Sequence, residues 1–457
     1  MNIKNIKWTL MTGLAAVLGF SSCADEPDKF ELADGSPTVY YIRPVDVSSK
    51  DSLLTEASMQ STICLVGDNL RSIKYMLFND QQAVLNSSYM TDHTLIVTVP
   101  KTIPSTVSDK IYMVTSGGDT LTYNFKVVVP APTISSMSNE WAAAGEEVTI
   151  TGDYFLDYDN HPLTITVGDD YTVPASAVTS ISKTGITLTM PADMPQHENI
   201  VISTKYGSTK APFQYMDNRG MLFDFDTAYD GTNVLGNNGW HNRPITSDGT
   251  SLSGNYMQLG SGTAQMAANG NWNDGDFSFE YWAGNWADPE TYAGRPRLCD
   301  VADFSGWTGK SLKFEMCIPA ENAWQAGPMQ VIFGSPAQVS MGNAGVKDVY
   351  GMTLAGANNT WFHAGDGWGR AIYMPWNNDD TSYDTGGKWV TVTIPLSDFN
   401  LDYDGNAAQK RFSSVTDFSC LNIFLIKGAY NDKSVLPDGV DCYPVIKIDN
   451  IRVVPNN

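Results

Sequence analysis

The residues with the most chemistry to offer are aromatic. Trp286, Tyr292, Trp324, Trp361 and Trp368 lie among Gly, Asn, Ala and Asp with few aliphatic neighbours, in stretches such as Asn-Trp-Asn-Asp-Gly-Asp-Phe-Ser-Phe-Glu-Tyr-Trp-Ala-Gly-Asn-Trp (271–286) and Thr-Trp-Phe-His-Ala-Gly-Asp-Gly-Trp-Gly-Arg (360–370). An exposed ring stacks on the apolar C–H face of a pyranose while neighbouring polar groups take its hydroxyls. These five are therefore the candidate glycan contacts, with Asn285, Arg295 and Arg370 as the nearest polar partners. Trp282 shares the parity of Ser278 and Glu280 and extends the same platform. Trp307 and Trp389 each precede an alternating strand and are expected to cap the core, and Tyr373 and Trp376 lean the same way.

Catalysis finds little support in the same region. A glycosidase needs two carboxylates at a set separation, one of them usually a Glu with a raised pKa. After residue 216 the only Glu are 280, 290, 315 and 321, and Glu315 alternates with Lys313 and Cys317 as a solvated strand face would. No G-x-S-x-G or H-E-x-x-H occurs, and Gly309-Lys310-Ser311 has Phe304 where a P-loop needs its first Gly. Asn400, Asp402 and Asp404 have the spacing of an EF-hand start, but position twelve is Arg411. No cofactor and no metal site is expected.

Five cysteines follow Cys23, at 64, 299, 317, 420 and 442, with no C-x-x-C and no His at zinc spacing. Cys64 has no partner in its own domain, and for the other four one or two bridges or strand-embedded free thiols fit equally. A formal charge of −22 repels nucleic acid and anionic polysaccharide, and no Lys/Arg run offsets it. Neutral or cationic partners are favoured.

The elements that must hold the aromatics begin after an export signal. Residues 1–22 carry Lys4 and Lys7 followed by the apolar stretch Thr9 to Phe20, which is short for a bilayer span. Residues 23–36 are acidic and aperiodic, as a flexible tether is. An internal repeat of about ninety residues comes next. Pro37-Thr38-Val39 answers Pro132-Thr133-Ile134, Ile63 to Asp68 answers Val148 to Asp153, and Leu95 to Pro100 answers Ile186 to Pro191. Short alternating strands between Gly, Asn, Asp and Pro predict an immunoglobulin-like sandwich for each copy, over 37–130 and 131–216. The Pro-rich seam 129–132 would stiffen their joint, so the copies read as a spacer.

From 217 to 457 the strands lengthen. Leu312, Phe314, Met316 and Ile318 alternate with polar residues, as do Val390, Val392, Ile394 and Leu396. Residues 420–426 are apolar on both parities and predict a central strand, and the parity shift between Ile446, Ile448 and Ile451, Val453 predicts a β-bulge at Asp449-Asn450. The chain is thus expected to be all-β: two Ig-like sandwiches followed by a jelly-roll sandwich.

Several motifs carry a family resemblance. Gly19-Phe20-Ser21-Ser22-Cys23 resembles the lipobox of bacterial lipoproteins, which implies lipidation at Cys23, and Ala24-Asp25-Glu26-Pro27-Asp28 resembles the export tag of surface lipoproteins in Bacteroidetes. The repeats resemble IPT/TIG domains. Leu222-Phe223-Asp224-Phe225-Asp226, Gly387-Lys388-Trp389 with the strand after it, and Ile448 to Val453 resemble jelly-roll carbohydrate-binding modules, and Asp224, Asp226 and Asp449 resemble the calcium corner of some of them. In this order the motifs resemble the surface glycan-binding protein B family of Sus-like polysaccharide utilisation systems. The resemblance implies a lipid-anchored protein of the outer-membrane surface that binds a neutral, β-linked polysaccharide without cleaving it and presents it for uptake. It also implies a TonB-dependent transporter with its SusD-like partner as neighbour. The rival readings are a surface glycoside hydrolase or esterase and a protein-binding adhesin.

Overall fold

The computed structural model describes residues 32, 34–239, 243–283, 295–335, 367–377, 382–428 and 435–456. The chain divides after Val129.

The first body holds β1 (Thr38–Pro44), β2 (Glu56–Ser58), β3 (Thr62–Asp68), β4 (Ile73–Phe78), β5 (Gln81–Gln82), β6 (Thr94–Thr98), β7 (Lys110–Thr115), β8 (Thr120–Asn124) and β9 (Lys126–Val128). Sheets β1-β3-β6 and β5-β4-β7-β8 enclose the core, and β2 pairs β9 in parallel. Alternation in β7, with Ile111 and Met113 buried, delivers the inward face as the period of two requires.

The second body opens with the other repeat: β10 (Thr133–Met137), β11 (Glu147–Asp153), β12 (Thr164–Val167), β13 (Tyr171–Thr172), β14 (Val178–Ile181), β15 (Gly185–Thr189), β16 (Glu198–Thr204) and β17 (Gly207–Tyr215). Its sheets are β10-β11-β15-β14 and β13-β12-β16-β17. The repeated Gly-Asp has one cause in both copies. β1 and β10 each carry a register shift, and a Cβ on Gly67 or Gly152 would stand 1.8 or 1.9 Å from the carbonyl oxygen of Thr38 or Thr133, so only glycine fits beneath the bulge.

The last sandwich contains β18 (Met221–Phe223), β19 (Ile245–Thr246), β20 (Tyr256–Leu259), β21 (Ser278–Tyr281), β22 (Lys310–Cys317), β23 (Met329–Gly334), β24 (Ala371–Tyr373), β25 (Trp389–Pro395), β26 (Cys420–Leu425) and β27 (Ile446–Pro455). One sheet runs β19-β20-β27-β22-β25 with β18 also on β27, and the other runs β21-β26-β23-β24. β26 is central, as its two-sided apolar run requires. The bulge in β27 is also present: the three residues of β22 from Lys313 to Glu315 face the four of β27 from Arg452 to Asp449, and Asn450 takes φ 51°.

Two sandwiches of this body are bonded together. The Glu140 N–H donates to Thr391 Oγ1 at 2.7 Å and the Thr391 N–H to the Ser138 carbonyl at 2.9 Å. Both Glu140 carboxylate oxygens are used, one by Lys313 and one by Arg452 at 3.0 Å, while Arg452 also grips Glu315 at 2.7 Å. The solvated face expected for Glu315 is therefore a buried ionic seam, with Glu140, Lys313, Glu315 and Arg452 all within 6 % of full burial. Burial pushes the Glu315 carboxyl up to about 7, against the pull of Arg452. Gly220, at φ 57°, seats the crossing chain: it accepts the Val453 N–H, and a Cβ there would stand 2.0 Å from the Val453 oxygen.

Candidate functional site

The sheet β21-β26-β23-β24 has two buried faces of different character. Phe279, Tyr281, Leu421, Ile423, Val331 and Phe333 point into the shared core. The opposite face carries Glu280, Asn422, Phe424, Gln330 and Ile332 from three neighbouring strands, with Trp282 and Arg370 on the same parity beside them. Polar side chains at such depth must bond one another. The Trp282 indole donates to Asn422 Oδ1 at 3.1 Å, and Arg370 donates to Gln330 Oε1 at 3.0 Å and lies over the Tyr403 ring. The Gln330 amide donates to the carbonyls of Tyr403 and Ile426. Some capacity is unspent: among the described residues, Asn422 Nδ2, Asn271 Oδ1 and Asp404 Oδ1 have no hydrogen-bond partner. Burial raises the Asp404 carboxyl, with Asp402 adding to it. The sequence signal for this face was a single amide in each of two apolar runs, Met-Gln-Val-Ile-Phe-Gly and Cys-Leu-Asn-Ile-Phe-Leu, and our sequence reading missed it.

The five candidate aromatics divide. Trp286, Tyr292 and Trp361, with Asn285, lie outside the described residues. The strands that lead toward them end side by side: β26 pairs Leu421 with Tyr281 on one flank and Cys420 with Gly334 on the other, so β21 and β23 both finish at the Cys420 end. Beneath that end is an aromatic cluster. Phe304 stacks on Phe418 with centroids 4.6 Å apart, and Trp307, Phe333 and Phe412 contact Phe418 around it.

Trp324 and Trp368 correct the expectation of exposure. The Trp324 ring is wholly buried and its indole N–H donates to the carbonyls of Ala326 and Gly327. Trp368 is 6 % exposed, donates to the Phe333 carbonyl at 2.7 Å and packs on Phe412. Both rings find in three dimensions the apolar neighbours that their own loops lack; the carbonyl partners of Trp324 come from its own loop, whereas that of Trp368 comes from β23. They also stand apart, since Trp324 lies before the first residue of β23 and Trp368 beside its fifth, roughly 13 Å along a strand. Trp282 is likewise 1 % exposed and Arg370 fully buried, so neither presents itself to solvent, whereas Arg295 is half-buried. Trp389 and Trp376 are buried as expected, and Trp307 packs against the core.

The acidic corner is spent on hydrogen bonds. Asp224 caps the N–H groups of Asp226 and Thr227, Asp226 holds Asn255, and buried Asp449 accepts from Asn450 N–H and Ser253. Among the described residues none of Cys64, Cys299, Cys317, Cys420 and Cys442 forms a disulfide, and burial raises the Cys64, Cys299, Cys317 and Cys442 thiols.

Tandem β-sandwiches ending in a jelly roll define a modular all-β protein. The profile described as "Surface glycan-binding protein B xyloglucan binding domain" matches residues 215–455, and the IPT/TIG domain profile matches 132–215. The crystal structure of the surface glycan-binding protein PbSGBP-B from Prevotella bryantii is 74% identical, covers 93% of this chain and 100% of that chain, and superposes with a TM-score of 0.89. An SGBP-B from a complex xyloglucan utilization locus in Bacteroides uniformis is 16% identical over 92% of this chain and 100% of that chain, with a TM-score of 0.40. A curated IPT/TIG domain-containing protein of Bacteroides ovatus is 28% identical over 210 residues, which are 43% of this chain and 42% of that relative. The chain belongs to the surface glycan-binding protein B family, a family of binding proteins and not of enzymes.

Proposed function

We propose that the protein is a lipid-anchored receptor of the outer-membrane surface that binds a neutral β-glucan, xyloglucan first among the candidates, and presents it uncleaved for uptake. The observation that carries this reading is the xyloglucan-binding profile over 215–455. Trp286, Tyr292 and Trp361 remain the proposed stacking residues, supported by the shared end at which β21 and β23 finish. Trp368 supports that end from below through its bond to the Phe333 carbonyl, whereas Trp324 packs the loop before the far end of β23. Cys23 carries the lipid, and a TonB-dependent transporter with its SusD-like partner receives the glycan.

Affinity electrophoresis of the full chain tests the reading. Gels containing xyloglucan, mixed-linkage glucan, laminarin, mannan or xylan are compared with a glycan-free gel. Retardation by xyloglucan with no reducing sugar released is the expected result. Retardation only by another polymer would move the specificity, release of sugar would restore the hydrolase reading, and indifference to every glycan would favour the adhesin.

A further inference from the structure

The two Ig-like sandwiches are copies of one design, and they differ at one edge. In the second, β15 has β11 on one side and β14 on the other. In the first, the equivalent strand β6 is the outer strand of β1-β3-β6. Local hydrogen bonds fix the equivalence. The Thr91 N–H donates to the Thr94 carbonyl as Ser182 does to Gly185, and the Gly67 N–H donates to the His93 carbonyl as Gly152 does to Thr184. Met90, bridged to Leu95, thus answers Ile181, paired with Ile186. It follows that Ser87, Ser88 and Tyr89 occupy the places of Val178, Thr179 and Ser180.

The sequence explains why the strand is lost. Asn86 accepts the Ser88 N–H through its side chain and closes a 3-10 turn over Ser87–Tyr89. In the second copy the corresponding turn, Ala175–Ala177, ends before the strand begins. The displaced arm leaves a slot of about 960 Å³ between β6 and residues 82–89, bounded by Ile96, Val97 and Thr98 on one side and Val84, Asn86 and Tyr89 on the other. Val84 is 88% exposed and Tyr89 56%. Among the described residues 130–216 of the complete copy, no large apolar side chain is exposed in this way. β6 itself, Thr-Leu-Ile-Val-Thr, carries none of the charges or prolines that usually protect an edge.

We infer that this slot is a docking site for an extended, uncharged segment of a partner polypeptide, which enters beside β6 as the strand that the second sandwich supplies from its own chain. Such strand addition draws affinity from the main chain and specificity from alternate side chains. The template, Val178-Thr179-Ser180-Ile181, is uncharged, and Lys101 is the one ionic residue lining the slot. The chain's own tether departs from that uncharged template, being acidic at Asp25, Glu26, Asp28 and Glu31, so Lys101 is the one feature of the slot that would draw it in. Residues 37–129 hold seven basic against eight acidic residues, so the net charge of −22 lies elsewhere and does not repel a partner here.

The test titrates a labelled peptide, Ala-Val-Thr-Ser-Ile-Ser, the sequence of residues 177–182, into the full chain by fluorescence anisotropy, with amide hydrogen exchange as the map. Saturable binding with protection at residues 96–98 is expected. Val84→Asp and Thr98→Lys, both at exposed positions, should each weaken it at least tenfold while the melting temperature holds. No binding, or protection on β15 instead of β6, would overturn the inference. Tighter binding of a tether peptide of residues 24–33 would make the chain its own occupant, and self-association abolished by Val84→Asp would make it a second copy; either sinks the proposal. Protection of the same amides by a glucan oligosaccharide and not by peptide would make the slot a sugar subsite and overturn it too.

Discussion

A tryptophan's role is decided by what its indole N–H reaches, and Trp324 reaches two carbonyls inside the core. Trp324→Ala should therefore cost about 3–5 kcal/mol of stability, as buried aromatic truncations do. Trp286→Ala and Trp361→Ala should leave the melting temperature within a degree or two and weaken glycan binding at least tenfold. Melting curves beside glycan titrations separate the two kinds, and an early melt in the latter pair would make them core residues. The sequence could not make this division, because neighbours in a loop say nothing of neighbours across a sandwich. Asp449 gives a second test. Burial pushes its carboxyl up to about 8, opposed by the Asn450 N–H and the Ser253 hydroxyl. The folded chain thus keeps a proton that the unfolded chain sheds near its ordinary pKa of 3.8, so stability falls as pH rises from about 4 to about 8. Asp230 works in the other direction: hydrogen bonds from Asn233 and Thr232 hold it at about 2, and its contribution is lost as pH falls below 3.8. Asp449→Asn should flatten the decline between pH 4 and 8 in a melting series. An unchanged slope would show that Asp449 is ionised in the fold.

Elements were the most legible level. The parity shift in β27 located its bulge because a side-chain period of two cannot skip a residue without one. The bulge places Asn450 at φ 51°, a conformation that Asn and Gly tolerate and β-branched residues do not. Asn450→Gly should then be nearly neutral and Asn450→Val should destabilise by about 1–3 kcal/mol by denaturant titration. Equal effects would mean that the Asn side chain matters more than the backbone. The repeat was legible for the same kind of reason, since Gly67 and Gly152 answer one steric demand. Less legible was the polar face of β23 and β26. Gln330 and Asn422 interrupt apolar runs, but what each amide bonds comes from strands and loops distant in sequence.

At the scale of the whole molecule, the second Ig-like sandwich is more than a spacer. Reading Glu315 as a solvated face followed from its alternation with Lys313, and the pattern alone could not reveal that Glu140, from a different sandwich, covers that face. A buried ionic cluster adds little over an apolar seam, yet removing one member leaves the others charged and uncompensated, at a cost of roughly 3–5 kcal/mol. A fragment of residues 217–457 removes Glu140 outright and exposes Lys313, Glu315 and Arg452 to water, along with the strand edge that Ser138 and Thr391 join. That fragment should melt well below one of residues 130–457, and Glu140→Ala in the longer fragment should reproduce much of that loss in melting temperature. Glycan affinity, measured below both melting temperatures, should be the same in all three if the platform lies at the Cys420 end of the last sandwich. Equal melting of the two fragments would mean that the seam contributes nothing to folding. A loss of affinity above about tenfold in the shorter fragment, or 1.4 kcal/mol, would mean that residues before 217 also shape the glycan site.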